Sequence, residues 1–111
     1  MTPEQLYDIL SKYAVSQGIR LNKDREFVMD IMRGLLTNEQ RYGYRSCPCR
    51  LAWADKEKDK DIFCPCVYRD PDIKEYGSCY CELYVSVDWN EGKIEHRHVP
   101  ERRPMEKRRT L

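Results

Sequence analysis

The chain contains no apolar run long enough to cross a membrane, which excludes a transmembrane helix. An excess of charge of one sign is missing too. Twenty basic and 19 acidic side chains leave a formal charge of +1 on 111 residues, so no global field argues for nucleic acid or a lipid surface. The start, MTPEQLYDIL, lacks the basic-then-apolar layout of an export signal and is too acidic for a transit peptide; the expected compartment is the cytoplasm. There a disulfide-stapled scaffold is disfavoured, and cysteines more often bind metal or do chemistry. No internal repeat occurs beyond three short cysteine motifs. The length fits one domain over residues 1–111 with a small core, and the basic stretch 101–111 is expected to be a flexible tail draped on the surface.

What is present in quantity is cysteine. All six lie in Cys-x-Cys pairs, Cys47-Pro48-Cys49, Cys64-Pro65-Cys66 and Cys79-Tyr80-Cys81. In an extended segment residues i and i+2 sit about 6.5–7 Å apart, usually too far for an unstrained disulfide within a pair. Three such pairs converging would gather up to six sulfurs. Three readings compete. A structural zinc site takes four ligands, but its usual gap is two to four residues and two cysteines stay unexplained. A three-disulfide scaffold uses all six, against the expected compartment. A [4Fe–4S] cluster takes four thiolates and leaves two for one disulfide, which accounts for every cysteine.

Around these motifs the pattern predicts a helix-rich α+β domain: N-terminal helices, irregular cysteine loops and short C-terminal strands. A first helix is expected over 2–18, with Thr2 and Gln5 as a capping box and Leu6, Ile9, Leu10 and Tyr13 on the buried face. A second should run from about Lys23 to Leu36, capped by Asn22, with Phe27, Val28, Ile31, Met32, Leu35 and Leu36 as its apolar stripe. Gly34 costs it about 1 kcal/mol relative to alanine unless something packs closely there. A short third helix, Asn38 to Tyr42, should end at Gly43. Leu51 to Lys58 suggests a helical turn or two anchored by Trp53, and the charged run Asp55 to Asp61 reads as solvated. Asp70-Pro71-Asp72 marks a turn. Cys81 to Asp88 alternates as a strand, with Ile94 to Val99 as its partner.

The run Gly34-Leu35, Tyr42-Gly43, Cys47-Pro48-Cys49-Arg50, Cys64-Pro65-Cys66 and Cys79-x-Cys81 followed by Leu83-Tyr84 resembles the catalytic (beta) subunit of ferredoxin:thioredoxin reductase, from about residue 25 to 88. That resemblance implies a domain wrapped around a [4Fe–4S] cluster held by Cys47, Cys64, Cys66 and Cys79. It implies a redox disulfide between Cys49, the more exposed attacking thiol, and Cys81, held against the cluster. It implies a ferredoxin-like electron donor, a thioredoxin-like disulfide protein as target and a second, variable subunit. Disulfide reduction would then proceed in two one-electron steps. With plant-type ferredoxins near −400 mV and thioredoxin near −270 mV, that transfer releases about 6 kcal/mol.

Two features depart from the family pattern. Tyr80 stands where the plant and cyanobacterial enzymes have histidine, and tyrosine's pKa of about 10 makes it a poor proton shuttle at neutral pH. The gap from Cys66 to Cys79 is longer, with RDPDIKEYG read as an inserted loop. Pro48 and Pro65 fix the chain beside the sulfurs. Arg50 is either a surface arginine or a promoter of the Cys49 thiolate. Trp53, Phe63 and Tyr68 are expected to shield the centre, and His96 and His98 to be surface residues. The rival functional readings are a zinc- or cluster-stabilised binding module and a simple electron carrier.

Overall fold

The computed structural model describes residues 1–110; Leu111, the end of the expected tail, lies outside the described residues. The first helix, α1 (Pro3–Ser16), starts as its sequence dictates. Thr2 Oγ1 accepts from the Gln5 N–H while Gln5 Oε1 accepts from the Thr2 N–H, which satisfies two donors that no helical carbonyl can reach. Its buried face is Leu6, Leu10 and Ala14, whereas Ile9 is exposed.

A two-residue strand, β1 (Arg20–Leu21), leads into α2 (Arg25–Tyr42). Asp24 caps α2, not Asn22. Asn22 is occupied elsewhere, donating to the Glu82 carbonyl and accepting from the Asp24 N–H. The expected second and third helices are one continuous helix. Thr37 does not interrupt it, because its hydroxyl bonds back to the Arg33 carbonyl within the helix. Gly43, at φ +83°, closes it in the left-handed conformation that glycine adopts without strain. Val28, Ile31, Met32 and Leu35 are buried as expected, joined by Met29, while Phe27 and Leu36 are half-buried. Gly34 has its close neighbour: a Cβ there would stand 3.0 Å from Pro48 Cβ, so the first cysteine motif rests directly on α2.

Beyond α2 the sequence expectations hold less well. Residues 51–55 are irregular and only Lys56–Asp59 (α3) is helical, followed by a 3₁₀ turn, Lys60–Ile62. Trp53 is partly exposed under the Lys58 ammonium and donates its indole N–H to the Lys107 carbonyl, so it anchors the tail and not a helix. The charged run is not fully solvated, because Asp59 and Asp61 are buried against Arg103. The expected turn and inserted loop at 69–77 are instead α4 (Arg69–Tyr76), with Gly77 as a left-handed cap. Pro71 sits in its first turn, where a missing N–H leaves no helical bond unmade.

The long strand pairing also fails. Only Tyr84–Val85 (β2) is extended, pairing antiparallel with β1 in the register Arg20–Val85 and Leu21–Tyr84. Ser86 then caps a helical turn, α5 (Val87–Asn90), and residues 94–99 form no strand: β1 holds one edge of β2, and an antiparallel bridge from Ser78 to Val85 holds the other. The tail, expected to drape outside, sends Arg103 into the interior at 1% exposure. Among the described residues, no helix is long and apolar enough to cross a membrane. The core joins the inner faces of α1 and α2 to Leu83 and Tyr84 and to the sulfurs of Cys47, Cys79 and Cys81.

Candidate redox centre

The first and third cysteine motifs are turns, not extended segments. Arg50 N–H bonds to the Cys47 carbonyl at 3.2 Å, and Glu82 N–H to the Cys79 carbonyl at 2.9 Å, each closing a four-residue turn. Pro48, with its fixed φ, suits the second position of the first turn, and Glu82, at φ +61°, ends the other. Backbone pairing then brings the motifs together. Cys47 N–H reaches the Ile62 carbonyl at 2.8 Å and Cys64 N–H the Arg45 carbonyl at 2.7 Å, around an antiparallel bridge between Ser46 and Phe63. Cys79 N–H reaches the Tyr84 carbonyl at 2.9 Å, which ties the third motif to β2.

The result is a small cavity whose wall includes Cys47, Cys64, Cys66, Cys79 and Cys81. Its remaining wall is Ile31 of α2, Pro48, Pro65, Leu83, Tyr80, Tyr84, Arg50 and Arg69, with no carboxylate. Cys49 does not line it. Cys49 is exposed and borders a surface groove with Leu51, Tyr80, Arg108 and Arg109. Yet its sulfur stays close to the others: the sulfurs of Cys47, Cys49 and Cys81 all lie within 4.8 Å of one another. All six cysteines are free thiols, and Cys47 and Cys81 make the close sulfur contact at 2.6 Å.

These surroundings separate the thiols. Hydrogen bonds from Cys47 and then Cys81 stabilise the Cys49 thiolate; against the burial that opposes them, and with Arg50 nearby, they lower its pKa to about 4. Cys81, which donates its S–H to Cys47 and Cys49, is pushed well up by those hydrogen bonds and by burial. Burial raises Cys79 to about 11 and lifts Cys64 strongly. Burial lifts Cys66 as well, although the Arg50 charge opposes it. Tyr80 is also raised by burial, so its phenol stays protonated through the neutral range.

Sequence reasoning missed part of this wall. Trp53, Phe63 and Tyr68 do not line the cavity; Phe63 packs on Tyr44, and Tyr68 donates its hydroxyl to Asp61. Tyr80 and Tyr84 are the aromatic wall instead. Arg50 is no surface arginine. Its side chain is 3% exposed and donates to Cys66 Sγ at 3.5 Å, not to Cys49. Arg69 was invisible because its partner, the Tyr13 hydroxyl at 2.8 Å, lies 56 residues away. His96 is on the surface as expected, stacked on Trp89.

A small α+β fold that gathers five thiols around an apolar cavity, with the sixth just outside it, defines a cysteine-based metal or redox protein. The sequence matches the family model for the ferredoxin thioredoxin reductase catalytic beta chain over residues 2–107, and the chain belongs to that family. A relative from Porphyra purpurea, the ferredoxin-thioredoxin reductase catalytic chain, is 29% identical over 79 residues. That match covers 68% of this chain, and the chain spans 63% of the relative's length.

Proposed function

We propose that this chain is the catalytic chain of a ferredoxin-dependent disulfide reductase. In this reading Cys47, Cys64, Cys66 and Cys79 hold a [4Fe–4S] cluster, and Cys49 and Cys81 are the redox pair. The donor set fits the group: these four thiols border one cavity lined otherwise by Cys81 and by apolar, aromatic and cationic side chains, and soft thiolates are what iron–sulfur clusters take. The observation that carries the reading is the separation of Cys49. It alone of the six faces the outer groove and not the cavity, while its sulfur remains within 4.8 Å of Cys81.

The chemistry follows from that asymmetry. When bound, the cluster supplies electrons singly from a low-potential donor such as ferredoxin. Cys49, exposed and held as thiolate, attacks one sulfur of a thioredoxin-like protein disulfide. The target S–S bond breaks, its leaving sulfur takes a proton, and a mixed disulfide forms at Cys49. Cys81, once deprotonated, attacks the Cys49 sulfur, which expels the target as dithiol and leaves a Cys49–Cys81 disulfide. Two electrons and one proton restore the Cys49 thiolate and the Cys81 thiol. Tyr80, protonated throughout, donates or packs but does not shuttle the proton. A second, variable subunit completes the assembly by the same family likeness, and the reaction places the chain in a reducing compartment such as the cytoplasm.

The test is Cys49→Ser in anaerobically purified protein, with iron and sulfide counted. Four of each per chain with loss of thioredoxin reduction supports the assignment. Undiminished turnover with the cluster intact eliminates Cys49 as the attacking thiol, and one zinc per chain eliminates the cluster.

A further inference from the structure

The C-terminal segment reaches back to the cysteine cavity through one largely buried ion pair. Glu101 receives Arg50 Nε on one oxygen and Nη2 on the other, both at 2.8 Å. The two side chains are 3% and 18% exposed, so this is a two-pronged pair that water screens little. With those nitrogens engaged, Arg50 Nη1 is left to donate to Cys66 Sγ at 3.5 Å. The guanidinium carbon lies 4.5 Å from the Tyr80 ring centre and 5.4 Å from that of Tyr68. Glu101 is itself held: the Arg103 N–H donates to its Oε1 at 2.9 Å, and the Arg103 side chain is bound to Asp61. Hydrogen bonds and positive charge at a ligand sulfur favour the reduced state of an iron–sulfur group.

We propose that Glu101 is a positioning residue: it fixes the Arg50 guanidinium on the Cys66 sulfur, and the pair thereby raises the reduction potential of the group that Cys66 holds. This rests on reading Cys66 as a cluster ligand. The sign of the effect distinguishes positioning from mere charge. Neutralising a carboxylate near the cluster while Arg50 stays in place makes the surroundings more positive and moves the potential up. Releasing Arg50 from Cys66 removes a donor and a cation from the sulfur and moves it down.

The experiment is an anaerobic, absorbance-monitored redox titration of the cluster-loaded chain and of Glu101→Gln, Glu101→Asp, Arg50→Gln and a surface control, Glu75→Gln. Glutamine loses the charge, whereas aspartate keeps it but draws the two oxygens away from Arg50. We expect all three site variants to shift downward, with the reduced-to-oxidised ratio at a fixed solution potential falling about tenfold, or about 59 mV for one electron. The control stays at the parent value. A potential equal to or above the parent in whichever Glu101 variant loads iron overturns the inference. A parent chain without iron and sulfide overturns the cluster reading instead.

Discussion

Replacing Arg103 with methionine tests whether the tail is a structural part of this fold. The Arg103 side chain threads between Asp59 and Asp61, with Nε and Nη2 on the Asp61 oxygens at 2.9 and 3.1 Å. Nη2 also donates to the Lys58 carbonyl at 2.9 Å and lies 3.7 Å from Asp59 Oδ1. Methionine keeps much of the volume but leaves two buried carboxylates without their cation. Breaking a buried ion pair from one side typically costs about 3–5 kcal/mol. We expect the lower end, about 3 kcal/mol, because Asp59 keeps donors from Tyr44, Trp53 and Ala54, and Asp61 keeps Tyr68. With a urea m-value of roughly 1.5 kcal/mol/M, the unfolding midpoint falls by about 2 M. Adding Asp61→Asn to the variant should recover part of the loss, since an amide does not need the cation. Acid should narrow the gap between parent and variant. Burial raises the Asp61 carboxyl, but the hydrogen bonds from Tyr68 and Arg103 outweigh it and hold it below the ordinary aspartate value. The stability it contributes is thus complete above that ordinary value and disappears as pH falls through the lower folded one. A loss under about 1 kcal/mol at neutral pH, with an unchanged m-value, would refute the reasoning.

Two further outcomes follow from the site. In the reduced, iron-free chain, iodoacetamide should modify Cys49 before the other five cysteines, with a labelling midpoint near pH 4 set by the Cys47 and Cys81 hydrogen bonds; a Cys49 midpoint near that of a free thiol, read by mass spectrometry, contradicts this electrostatic picture. Gly34→Ala gains about 1 kcal/mol of helix propensity but drives a methyl to 3.0 Å from Pro48 Cβ, and overpacking commonly costs about 1–3 kcal/mol. The expected result is a urea midpoint at or below the parent, and a gain of the full propensity term would show that Pro48 packs loosely on α2.

Local features were legible wherever one short segment decides its own conformation. The Thr2–Gln5 box, the buried positions of α2 and the closing Gly43 all satisfy that condition. Features that depend on competition were not. Asn22 has the chemistry of a cap, yet bonds across to Glu82, 60 residues away, so Asp24 caps instead. Asp70-Pro71-Asp72 reads as a turn in isolation, but proline within a helix's first turn breaks no bond, and α4 forms around it. The β2 segment alternates correctly, but its partner is β1 and not the following residues 94–99. Buried charge was least legible of all. Arg103 and Asp61 are 42 residues apart, and each alone looks like a solvated surface residue.

The same division explains why the cysteines could be found from sequence while their environment could not. A sulfur site must use cysteine, so six thiols in three spaced pairs announce themselves. What tunes them is ordinary surface chemistry brought inside by the fold. Arg50 donates to Cys66 and to Glu101, and Glu101 accepts from the N–H of Arg103, whose side chain lies between Asp59 and Asp61. Asp61 in turn accepts from Tyr68, two residues beyond Cys66, and the next residue, Ile62, accepts the N–H of Cys47. The C-terminal segment, the charged run and two cysteine motifs therefore form one hydrogen-bonded circuit. A change at Arg103 should be felt at the sulfurs as well as in overall stability, so Arg103→Met should weaken iron retention more than an equally destabilising cavity made in α1, such as Leu6→Ala. Equal iron loss in the two variants at matched stability would show that the circuit transmits nothing beyond the general loosening of the fold.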